Sequence, residues 1–164
     1  AGAFVVDVGS GGGFPGVPVA VARADVTVTL LEPMARRVDW LQEVVGTLGL
    51  EHVTVLRGRA EENATRAAIG VADVVTARAV APLAKLAGWC LPLVRPGGRL
   101  LALKGASVTD EVDRDAAAVR KAGGASVDVI RCGEAVLDVP TTVVAVVAAD
   151  RPSTARPARR GRRS

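Results

Sequence analysis

The 164-residue sequence predicts an α/β fold: a Rossmann-like, mostly parallel sheet that ends in an antiparallel hairpin. Three observations carry this. Residues 4–16, FVVDVGSGGGFPG, run from an apolar strand through a glycine turn into a helix start, the junction from which α/β folds build nucleotide pockets. Valine-rich segments then alternate with amphipathic ones, and only 2% of the chain is aromatic, as suits a sheet buried on both faces. Finally, the strand-like segments 125–132 and 141–149 stand too close together for a crossover helix, so an antiparallel hairpin is expected.

The glycine turn fits two fingerprints. Read from Asp7, it is D-x-G-x-G-x-G through Gly9, Gly11 and Gly13, the first motif of S-adenosylmethionine (SAM)-dependent methyltransferases. Read from Gly11, it is G-x-G-x-x-G through Gly13 and Gly16, the dinucleotide fingerprint. Pro15 removes an amide that a pyrophosphate would use. Asp7 favours a ligand carrying a sulfonium and an ammonium over a diphosphate. The SAM fingerprint is the better match, and a turn without a ligand is the alternative.

A first helix is expected over 14–23, with Pro15 in its opening turn. The second strand, 26–32, ends on Glu32, 23 residues after Gly9. An acid there suits a ribose diol, because two carboxylate oxygens match two vicinal hydroxyls; SAM and NAD share that need. The second helix, 34–48, aligns Val38, Leu41, Val45 and Leu48 on one face and stops at Gly49. Arg36 and Arg37 read as a solvated face, with RNA phosphate as the alternative.

The third strand, 52–56, leads through Arg57-Gly58-Arg59 to Ala60, Glu61 and Glu62. In methyltransferase folds this loop meets adenine, which places Ala60 and Glu61 at the base. The fourth strand, 72–77, ends against Arg78, a charge that needs a partner; Asp7, Glu61 or the SAM carboxylate could serve. A helix over 83–94 and a sharp turn at Pro96-Gly97-Gly98 precede the fifth strand, 99–104. Lys104 then leaves at the ligand edge, where a substrate phosphate is its expected contact. A helix over 109–122, with Asp110 and Glu111 in its first turn, leads to the closing hairpin. That ending is the class I SAM-dependent methyltransferase layout rather than a dehydrogenase's.

Composition excludes several other classes. No apolar run is long enough to cross a membrane. One histidine, His52, and two distant cysteines, Cys90 and Cys132, offer no metal site or nucleophile–histidine pair. Both thiols are expected to be buried and reduced, as in a cytoplasmic protein. The net charge of +4 is local: six arginines in 151–164 leave 15 bases and 17 acids in residues 1–150. The division expected is a methyltransferase domain over 1–150 and a disordered arginine-rich tail over 151–164.

Five stretches together resemble one family, the small-subunit rRNA (guanine-N7) methyltransferases RsmG, also called GidB. They are DVGSGGGFPGVPVAVAR, LLEPMARRVDWLQEV, RGRAEE, TARAVAPLAKL and RPGGRLLALKG with a following D-E-V. The resemblance implies a class I fold, SAM as methyl donor, and methylation of a guanine N7 in 16S rRNA. The implied partner is 16S rRNA or the small ribosomal subunit, and the protein is expected to act without metal as a cytoplasmic monomer. The family's SAM contacts carry over to Gly9, Phe14, Ala60, Glu61 and Arg78; the residue patterns add Gly11 and Glu32. No catalytic residue is named, because N7 carries its own lone pair. The family's N-terminal helical region is not represented ahead of the first strand. A methyltransferase acting on a small molecule or protein, and a non-catalytic RNA-binding remnant, are the competing expectations.

Overall fold

The computed structural model describes residues 2–105 and 108–150, and the arginine-rich tail expected over 151–164 lies outside them. Seven strands form one sheet in the order β3-β2-β1-β4-β5-β7-β6. They are β1 (Phe4–Val8), β2 (Thr27–Glu32), β3 (Val53–Arg57), β4 (Ala72–Arg78), β5 (Val94–Lys104), β6 (Gly124–Cys132) and β7 (Thr141–Ala148). β1 to β5 pair in parallel, while β7 runs antiparallel between β5 and β6. This is the class I methyltransferase architecture, and the expected closing hairpin is present.

Alternation along each strand feeds two cores. Val5, Val28 and Leu30 point to the side covered by α1 (Gly16–Ala22) and α2 (Ala35–Thr47), where Ala20 and Leu41 meet them. Val6, Val8, Leu31, Val75 and Leu100 point to the other side. There they meet α4 (Leu83–Cys90) and α5 (Val108–Lys121) through Leu83, Leu86 and Val119. The β7 segment TTVVAVVA, apolar after its two threonines, takes an interior place with Val144 and Val146 fully buried, while the more polar β6 forms the exposed edge.

Four expectations change. α3 (Asn63–Ile69) is an additional helix of seven residues, too short to leave a periodic signature. Pro96-Gly97-Gly98 does not precede β5 but lies within it, where the ladder skips from the Ala72–Val94 pair to Val74–Arg99. Proline donates no ladder bond, so a bulge accommodates it. The helix expected over 83–94 gives way after Cys90 to a 3-10 turn, Leu91–Leu93, containing Pro92. Cys90 is buried, its thiol pushed up to about 12 by desolvation, but Cys132 is exposed on the edge strand.

Candidate cofactor site

The site begins with two acids that shape the turn after β1. Asp7 is wholly buried: its Oδ1 accepts the Thr76 hydroxyl at 2.7 Å and its Oδ2 the Gly16 amide at 3.2 Å. Burial raises its pKa, against the lowering effect of Thr76, Ser10, Gly16 and the charge of Arg78. Asp7 therefore ties β1, β4 and the start of α1 together. This corrects the expectation that it faces a cationic ligand, because its carboxylate turns into the fold. Gly16 allows the close approach; a Cβ there would meet Leu30 and lie 2.8 Å from the Asp7 carboxylate. The helix consequently starts at Gly16, two residues later than expected, with Pro15 as its cap after a cis Phe14–Pro15 peptide.

Glu32 is the second acid, 1% exposed at the end of β2. Its Oε2 accepts the Gly11 amide at 2.9 Å and its Oε1 the Met34 amide at 3.0 Å, with Arg37 Nη1 3.9 Å away. The amides of Gly9 and Ser10 go to the Leu31 carbonyl, and that of Gly13 to Ser10. These bonds hold the turn over the end of β2. Gly9 and Gly11 can therefore offer a cationic ammonium their carbonyl oxygens rather than their amides.

Gly9, Leu31, Pro33, Ala60, Glu61 and Val80 are among the residues lining a crevice of about 90 Å³ at this edge. Apolar walls suit a purine face, and the half-exposed Glu61 carboxylate suits its amino group. The Ala60 carbonyl accepts Arg66 Nε at 2.7 Å, so the acid is the better acceptor for a base.

Of the expected contacts, Gly9, Ala60 and Glu61 line this crevice, whereas Gly11 and the buried Glu32 are not among its lining residues and pair with each other. Phe14 and Arg78 meet each other, the guanidinium 5.3 Å from the ring centroid, a favourable cation–π distance. Arg78 is exposed, so solvent and Phe14 answer the cost expected of it, and its charge acts on Asp7 without a direct bond. It lines a larger neighbouring cavity of about 350 Å³ with Ala79, Leu103, Lys104, Gly105 and Thr141.

Lys104 differs from expectation. Its ammonium donates to Glu111 Oε1 at 3.0 Å and to the Ala81 carbonyl at 2.8 Å, so its charge is already partnered. Sequence patterns did not single out Val80, although it reaches both Gly9 and the crevice. No helix among the described residues is long and apolar enough to cross a membrane.

The crevice fits SAM in its apolar walls, which end at the Glu61 carboxylate, and in the turn beside it, which the buried Glu32 holds in place.

Comparison with known proteins agrees with this geometry. The family model GidB, described as rRNA small subunit methyltransferase G, matches residues 1–139. A ribosomal RNA small subunit methyltransferase G from Corynebacterium glutamicum (strain R) is 53% identical over 145 residues, covering 88% of this chain and 65% of that protein. One from Salinispora arenicola (strain CNS-205) is 55% identical, covering 99% of this chain and 71% of its own. The chain thus spans about two thirds of the length of these relatives. Among solved structures, a predicted O-methyltransferase from Agrobacterium tumefaciens has a TM-score of 0.71 at 16% identity, covering 91% of this chain and 75% of that one. At that identity the likeness is one of fold.

Proposed function

The chain belongs to the GidB family of small-subunit rRNA methyltransferases, and on that premise we propose that it transfers a methyl group from SAM to N7 of a guanine in 16S rRNA. The observation carrying this reading is the crevice at the sheet edge, where Gly9 faces Ala60 and Glu61 beside a turn held by Glu32. Glu61 would take the adenine amino group, the Glu32 carboxylate the ribose, and the Gly9 and Gly11 carbonyls the ammonium. Phe14 and Arg78 would close the site from the α1 side.

SAM supplies an electrophilic methyl group on a sulfonium sulfur. Guanine N7 presents an in-plane lone pair, so no residue needs to remove a proton before attack. The contribution of the chain is alignment, which at its best is worth about 7–11 kcal/mol. The larger cavity is lined by Arg78 and Ala79, and the crevice by Val80, the next residue of the chain. A base could enter there, next along the chain to the crevice that would hold the donor. A ribosomal RNA substrate is consistent with action in the cytoplasm.

The direct test is to incubate the protein with labelled SAM and small-subunit RNA, or assembling subunits, and to map the label. Methylation of a guanine N7 is expected. Absence of SAM binding by calorimetry would overturn the proposal.

A further inference from the structure

On the footing of the SAM-dependent reading above, we infer that Glu111 and Lys104 are positioning residues: their ion pair sets the loop 79–82 that separates the donor crevice from the acceptor cavity. α4 starts at Leu83 behind Pro82, with neither a side-chain cap nor an acid in its own first turn. The first amides of a helix have no partner within it. Here α5 supplies them. Glu111 Oε1 accepts the Leu83 amide at 2.7 Å, and one turn later Asp115 Oδ2 accepts the Ala84 amide at 2.9 Å.

Glu111 Oε1 also accepts from Lys104 Nζ, which in turn donates to the Ala81 carbonyl. One carboxylate oxygen and one ammonium thus grip the loop at two consecutive points: the Ala81 carbonyl and the amide just past Pro82. Both side chains are largely buried, at 13% and 19% exposed. Shielding from water strengthens such charge-assisted bonds.

The loop held in this way faces both sites. Ala79 lines the acceptor cavity, and its φ of 52° is the only positive value at a non-glycine among the described residues. Val80 lines the donor crevice and sits so close over Gly9 that a Cβ there would come within 2.9 Å of it. A backbone held in the left-handed region persists only where its surroundings hold it. The Glu111–Lys104 grip, just downstream of Ala79, supplies that restraint and keeps Val80 over the turn.

The test is calorimetric titration with SAM of wild type, Glu111→Gln, Lys104→Met and the double variant, each checked for folding by circular dichroism. Both single variants should weaken SAM binding about tenfold, the scale of one charged hydrogen bond. The double variant should be no weaker than the worse single one, because the two residues act as a unit. A purely structural role would instead lower the apparent number of sites at unchanged Kd. An unchanged Kd in either folded variant overturns the inference. So does failure of both variants to fold, since the pair would then hold the fold rather than place the loop. Wild type that binds no SAM overturns the proposed function itself, and this inference with it.

Discussion

The carboxylate of Glu32 at the end of β2 holds the Gly11 amide, 2.9 Å away in the turn that follows β1. A residue suited to a ribose is thus also the brace of the glycine loop. Replacing it by alanine should orphan the Gly11 and Met34 amides. Glu32→Ala is expected to lose about 1–3 kcal/mol of folding stability and a similar amount of SAM binding energy. Denaturant unfolding and calorimetry measure the two separately. If both are unchanged, neither role holds.

Thr76→Val tests the other acid. Valine keeps the shape of threonine but removes the hydroxyl that Asp7 accepts, at an expected cost of about 1–3 kcal/mol. The pH dependence has a definite sign. Burial raises the Asp7 pKa, so its contribution is fully present in acid and is lost as pH rises through that raised value. Removing Thr76 Oγ1 raises the pKa further. The variant should therefore be penalised more at neutral pH than at the acid end of the usual carboxylate range. Unfolding measured across pH checks this, and a penalty independent of pH would contradict it.

Gly16→Ala should be far more costly than Gly12→Ala. A Cβ on Gly16 would run into Leu30 and Asp7, whereas one on Gly12 meets nothing within 4 Å. Overpacking of this kind costs about 1–3 kcal/mol. Equal shifts in thermal midpoint for the two variants would show that α1 is not seated on β1 and β2 through this contact.

Asp115 predicts the opposite pH trend from Asp7. Its hydrogen bond from Arg114 and the Ala84 amide hold it below the usual carboxylate range despite burial. Its stabilising contribution is therefore present above that range and is lost as pH falls through the lowered value. Asp115→Asn should be less stable at neutral pH and lose less stability on acidification than wild type. Parallel stability curves for the two proteins would refute this.

Most of the architecture was legible because it depends on local pattern. The valine-rich strands, the face carrying Val38 and Leu41 on α2, and the short gap before β7 each state their structure within a few residues. α3 was not legible because seven residues complete too few turns to show a period. At the site, Gly9, Ala60 and Glu61 could be placed from position after a strand, since every parallel strand delivers its following loop to the same edge. The partners of Lys104 could not, because Glu111 reaches it from another element, and Ala81 stands 23 residues away.

By itself the sequence determined the order of the strands and of the helices other than α3, the mostly parallel sheet with its closing hairpin, and the family. Tertiary structure alone decided which way the charges face. Asp7 turns inward to Thr76 across 69 positions of chain, Glu32 bends back to Gly11, and Lys104 turns to Glu111 and a carbonyl. The reason is physical: periodicity records which residues are apolar, whereas the partner of a charge is fixed by contacts between elements distant in sequence, where burial makes an unpaired charge too costly to keep.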